Sequence, residues 1–158
     1  DSMQPAISYC YGAELRRRMF AFEKRVLFAG ALVSLLTFIG MRTGGHAIIS
    51  LFIQENESAL LEMSLRAMRL FSFTYLSGWI GVGLSAFFTA VNKPGISLGI
   101  SLGRALVFPL LALSALVPLL GIDGVWLTSA AGSVLTAVVS VFFLMHFLHK
   151  EKTVHMLS

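Results

Sequence analysis

An all-α integral membrane protein is what this sequence predicts, with four complete transmembrane helices and the end of a fifth. Three observations lead there. The 158 residues are 56% hydrophobic and 13% charged, with a mean hydropathy of +0.82, whereas an average soluble domain carries about 25% charged residues. Charges gather in short stretches between long apolar runs. The run 95–120, GISLGISLGRALVFPLLALSALVPLL, holds twenty-six residues and one charge. At about 1.5 Å per residue such a helix reaches roughly 39 Å, enough to cross a bilayer core of about 30 Å with tilt.

Taken in order, residues 1–12 predict the end of a helix, with Gly12 in the left-handed position that closes helices. The opening DSMQPAISYCYGA has no initiating methionine, basic n-region or cleavage site, so it is not read as a secretory signal. Too short for a whole span, it leads to the expectation that an N-terminal part of a longer protein is missing. Glu14, Arg16, Arg17, Arg18, Glu23, Lys24 and Arg25 then form a polar stretch, expected to be an interfacial loop or short amphipathic helix whose cations meet lipid head groups. Residues 26–47 read as the first complete span, with Arg42 snorkelling near its far end. Thr43, Gly44 and Gly45 weaken that helix. Over 54–69, Leu60, Leu61, Met63, Leu65 and Met68 alternate at helical spacing with Glu55, Glu57, Glu62 and Arg66. An amphipathic extracytoplasmic segment is the expectation. Asn56-Glu57-Ser58 fits a glycosylation acceptor, a pattern common by chance.

The second span is 70–91, rich in Phe and Gly and uncharged. Asn92 to Gly95 turn the chain into span 95–120, and Gly121 to Gly124 turn it again into span 125–148. In the third span Gly95, Gly99 and Gly103 recur every fourth residue. Such a ridge of small residues predicts a helix packed against it. Pro109 and Pro118 predict kinks. Arg104 would cost on the order of 2.5–3.5 kcal/mol at mid-membrane if it faced lipid. Counting Lys and Arg on alternate sides gives eight on one (Arg16, Arg17, Arg18, Lys24, Arg25, Lys93, Lys150, Lys152) and three on the other (Arg42, Arg66, Arg69). The positive-inside rule makes the first side, and the C-terminus, cytoplasmic.

The net charge of +4 does not indicate nucleic acid, because the basic residues fall between apolar runs without aromatic interleaving. Cys10 is the sole cysteine, and no disulfide within the chain can form. Gly81, Gly83 and Ala86 form a GxGxxA string inside an apolar helix rather than after a strand, so helix packing is expected there, not dinucleotide binding. His146 and His149 lack a third ligand at suitable spacing and read as a cationic helix end rather than a metal site. No Ser-His-Asp set, HExxH motif or phosphate loop is visible. The chain is not expected to be an enzyme, nor to need a cofactor or metal.

Polar groups at membrane depth are more informative. Asp1 precedes Gly12 by eleven residues, roughly 16 Å along a helix, near a bilayer midplane if the helix continues upstream. An intramembrane carboxylate there is a candidate for exchanging a proton or binding a cation. Gln4, Ser8 and Tyr9 share its helix, and Ser72, Tyr75 and Trp79 lie at helical spacing on span 70–91. Together with Arg104 they are candidate lining for a substrate cavity, since aromatic rings with a few polar groups suit lipophilic cations.

The string QPAISYCYGAELRRRM at 4–19 resembles the helix end and loop early in the second half of multidrug and toxic compound extrusion (MATE) transporters. Leu51-Phe52, the acidic short helix, LSGWIGVGLSAFFTAVNKPG at 76–95, Arg104 and GIDGVWLT at 121–128 resemble that family in order and spacing. The resemblance implies a twelve-helix, two-lobe fold, of which this chain would hold the end of the eighth span through the twelfth. It also implies export of drugs or organic cations, coupled to proton or sodium entry, by a multi-pass antiporter of the cell membrane. The partners implied are the bilayer, small cationic or amphipathic substrates and the missing N-terminal lobe. Some members place a coupling acid in the span matching 70–91, which has none here, so coupling falls to Asp1 or to the other lobe. Alternatives are a lipid-linked saccharide flippase of the same superfamily, a non-transporting membrane subunit and an inert truncated fragment.

Overall fold

The computed structural model describes residues 3–52 and 58–156, and every regular element among them is a helix. They are α1 (Gln4–Gly12), α2 (Arg16–Ser50), α3 (Ser58–Phe71), α4 (Thr74–Ala90), α5 (Pro94–Leu102), a π-helical turn (Gly103–Val107), α6 (Phe108–Leu120) and α7 (Ile122–Met156). Three stretches are long and apolar enough to cross a membrane: Arg16–Ser50, Pro94–Leu120 and Ile122–His149. α3 and α4 meet the same test only as a pair bent by 44°. The expectation of an uninterrupted span over 70–91 is corrected accordingly. Ser72 Oγ donates to Arg69 O at 2.7 Å, and the backbone tightens through Tyr75 N–H to Ser72 O (3.1 Å) and Leu76 N–H to Phe73 O (3.2 Å). Local bonding of this kind competes with the regular ladder and breaks the rod.

Of the two forms expected for the polar stretch, loop or short amphipathic helix, it is helical from Arg16, but as the first turns of α2, which runs unbroken through Gly44 and Gly45. The reversal from α1 occupies only Ala13 to Leu15. Leu15 N–H bonds to Cys10 O at 2.8 Å and Glu14 N–H to Tyr11 O at 3.2 Å, while Glu14 has φ of 58°. This is the Schellman arrangement. Its left-handed residue is therefore Glu14, and Gly12 is the last helical residue. The same geometry ends α4, where Lys93 N–H reaches Phe88 O at 2.8 Å and Asn92 N–H reaches Thr89 O at 3.2 Å, with Asn92 at φ 57°.

These two reversals lie at one end of the bundle, tied by Ser8 Oγ donating to Ala90 O at 2.9 Å. Phe87, Phe88 and Phe147 pack edge to face there, with centroids 5.6–6.0 Å apart, and Phe20 joins at 6.3 Å. Arg16, Arg17, Arg18, Lys24, Arg25 and Lys93 sit on the segments entering and leaving this basic end. At the opposite end the amphipathic α3 lies against Gly45 through Met68, and Arg66 on α3 pairs with Asp123 at the start of α7. Asn56 and Glu57 lie outside the described residues. Arg42 is held over two rings, Phe38 at 5.7 Å and Phe73 at 5.5 Å.

Burial across α7 runs opposite to that of a soluble helix. Apart from Phe147 at the basic end, its buried residues are small or hydroxylated, among them Thr128, Ser133, Thr136, Ala137 and Ser140, whereas Val138 is 62% and Phe142 61% exposed. Thr128, Ser133 and Thr136 return their hydroxyls to Gly124 O, Ala130 O and Gly132 O at 2.7–2.8 Å. Small residues inside and oily ones outside are what helix packing in an apolar solvent requires.

Close contacts form at Gly81 and Gly83, where helix packing is expected, and at Gly124, but not at Gly95 or Gly99. Nothing lies within 4 Å of a Cβ built on Gly95 or Gly99, while the atoms nearest one on the buried Gly103 belong to Phe108 of its own span. The expected ridge is therefore corrected at its first two members: among the described residues no helix packs on Gly95 or Gly99. Gly81 instead admits Thr136 of α7, Gly83 faces Leu27, and Gly124 meets the backbone of Leu116. Pro109, expected to kink its span, is accommodated by the wide π turn just before it. A ring with no N–H leaves the preceding carbonyl unmatched and crowds it, and one wider turn relieves both. Gly124→Ala should lower stability in detergent by about 1–3 kcal/mol, since backbone cannot give way to the new methyl. Gly95→Ala and Gly99→Ala should leave it unchanged or raise it by up to about 1 kcal/mol each; thermal unfolding of the micellar protein followed by size-exclusion chromatography measures all three.

Candidate functional site

Helices α1, α2 and α4 enclose a cavity of about 340 Å³. The first two turns of α1 supply Met3, Gln4 and Ile7, and α4 supplies Trp79, Val82 and Phe87. From α2 come Glu23, Leu27 and Gly30, at i, i+4 and i+7 on one helical stripe. Trp79 is oriented by Nε1–H donating to Leu76 O at 3.1 Å. Its ring lies so close to Gly30 that a Cβ there would stand 3.3 Å from Cε3, and the missing side chain is what lets the indole lean on α2.

Glu23 is the polar exception in this wall. The residue is only 4% exposed, and its Oε1 has no hydrogen-bond partner among the described residues. Among the described residues no Lys or Arg lines the cavity. A lone carboxylate charge in apolar surroundings is unfavourable by several kcal/mol or more, so such a group is satisfied either by holding a proton or by a cation seated beside it. Among the described residues the cavity therefore offers one acid, one amide and one indole to a guest, and mostly hydrocarbon elsewhere.

Of the residues expected to line a substrate cavity, the structure brings together Gln4 and Trp79 only. Ser8 is committed to Ala90 O. Tyr9 is 73% exposed and borders a separate hollow of about 500 Å³ with Arg18 and Arg25. Ser72 is fully buried and spends its hydroxyl at the end of α3, and Tyr75 stands edge-on to Phe71 at 6.2 Å. Arg104 lies exposed on the π turn, its stem near Gly81, and does not reach the cavity. These five do not line this cavity: Ser8 and Ser72 are spent on backbone carbonyls, and Tyr9, Tyr75 and Arg104 lie elsewhere. Asp1, the expected coupling acid, lies outside the described residues.

Glu23 was not among the expected site residues. Its neighbours Lys24 and Arg25 make the segment look uniformly polar, yet with the helix begun at Arg16, Met19, Glu23 and Leu27 recur every four residues. One acid on an otherwise apolar stripe is the signal that identifies it. Hydroxyls elsewhere are used in packing: Ser85 bonds Ser97 at 3.0 Å and Ser101 at 2.9 Å, and Thr89 bonds Ser97 at 2.7 Å, fastening α4 to α5. Among the described residues no three His, Cys, Asp or Glu side chains converge on a metal position. Because an unsatisfied buried acceptor destabilises by about 1–3 kcal/mol, Glu23→Met should raise the unfolding free energy in detergent by an amount of that order, seen as a higher thermal midpoint; a lower midpoint would show that the acid is paired. Protein-family models, curated proteins and solved structures provide no match to the chain.

Proposed function

We propose that this chain is the C-terminal part of a MATE-type antiporter, which exports drugs or other organic cations from a cell against the inward flow of protons or sodium ions. The observation that carries this reading is the apolar cavity between α1, α2 and α4, whose wall holds a buried acid and an indole and, among the described residues, no basic side chain. In this reading α3 and α4 together form one bent crossing, which makes four with α2, the span Pro94–Leu120 and α7. The basic end faces the cytoplasm, as does the C-terminus, by the positive-inside rule. Interrupted helices are common where transporters bind their cargo, and both the α3–α4 bend and the π turn interrupt helices here.

Mechanistically, a carboxyl inside the bundle changes its state when it gains or loses a cation, and the lobes settle into whichever access state suits that occupancy. Asp1 and Glu23 are the acids of this chain proposed for that part. The flippase alternative is less well supported, because a cavity for lipid-linked phosphates needs cations and this one is walled without any. A non-transporting subunit or an inert fragment would keep the packing and lose the transport.

Expressed together with the first lobe in cells stripped of their own exporters, the protein should lower ethidium accumulation severalfold, and a protonophore or sodium ionophore should abolish that effect. Accumulation unchanged by expression would remove the antiporter reading. Copurification of this chain with a stable partner, without transport, would favour the subunit instead.

A further inference from the structure

We propose that the α1–α2–α4 cavity is a binding site for a lipophilic amine, lying with its ammonium on the Glu23 carboxylate and its apolar body along α2 toward the Trp79 ring. The proposal rests on the reading of the chain as an exporter of organic cations, and assigns that cargo a site and an orientation. Glu23 is buried, lines the cavity and leaves Oε1 without a hydrogen bond among the described residues. An alkylammonium supplies what that oxygen lacks, a charge-assisted donor. A metal ion would need several oxygen ligands, and the rest of the wall offers little beyond the Gln4 amide.

Length follows from the helix. Glu23 and Gly30 are seven residues apart on α2, about 10 Å along its axis, and the Trp79 ring lies against Gly30. Acid and indole thus mark the two ends of the site. Between them Leu27, Val82 and Gly83 present only hydrocarbon and backbone, which favours an unbranched apolar linker over a second polar group. The far end is aromatic, and a flat ring stacks there better than an alkyl tail. The ligand class is an arylalkylamine with a single positive charge.

The test uses the full chain in detergent micelles with Trp126→Phe, which leaves Trp79 as the chain's one indole. The probe is 4-(4-bromophenyl)butylamine, whose bromine quenches an indole it touches, and its neutral counterpart 4-(4-bromophenyl)butan-1-ol controls for partition into the micelle. Saturable quenching by the amine, at least tenfold tighter than by the alcohol, is the expected result. Glu23→Gln should bring the amine to the level of the alcohol while leaving the alcohol unchanged, a pattern that a misfolded variant would not give. Equal binding of amine and alcohol by the native chain, amine binding unaffected by Glu23→Gln, or no quenching by either compound would each overturn the proposal. Glu23-dependent binding in a protein that fails the efflux assay would leave this site standing and remove the transporter reading alone.

Discussion

Polar groups in this bundle answer to one another, because the helices' outward faces give them nothing to bond. The hydroxyls of Thr128, Ser133 and Thr136 fold back on carbonyls of their own helix, and Ser77 meets Ser133 across the α4–α7 contact at 2.7 Å. With polarity handled locally, the contact surfaces are free to be small. Thr136 can then seat against Gly81, bringing α4 and α7 close enough for dispersion forces to hold them. Bulky side chains are left to the periphery, where Phe28, for example, is 72% exposed. Everything else in the fold, from the phenylalanine cluster at the basic end to the α3 clasp at the other, is arranged around these close contacts.

Glu23 is conspicuous against that rule. Its position is fixed by the reversal at Glu14, which sets where α2 begins and therefore which side of α2 faces α1 and α4. Starting the helix one residue later would rotate its faces by about 100° and place a different side chain at the cavity. A strained left-handed glutamate thus decides where a buried glutamate points. Natural proteins tend to break their own packing rules where they act, and here the break coincides with the cavity and with the one indole leaning on a glycine.

Much of the architecture was legible from the residues. Apolar runs identified α2, the Pro94–Leu120 span and α7, and alternation identified α3, since both signals depend on many residues at once. Gly81 and Gly83 read correctly as packing positions. The errors share a cause: each hung on one or two residues whose role is set by their neighbours in space. Gly12 looks like a helix terminator, but the Cys10 and Tyr11 carbonyls choose Glu14 for that position. Gly95 and Gly99 look like a contact ridge, but α4 meets α5 through serines on another side. Tyr9 and Trp79 seemed to belong together, whereas they border different hollows, each lined by α1 and α2. Glu23 was hidden by charge averaging along the chain, which treats neighbours in sequence as neighbours in space.

The π turn at Gly103–Val107 divides the Pro94–Leu120 span into halves with different allegiances: Ser97 and Ser101 are fastened to α4, and the α6 half lies along α7. A wide turn is a surplus residue threaded onto a screw, and Pro109, with no N–H to restore the regular ladder beyond it, pins that surplus where the span changes its neighbour from α4 to α7.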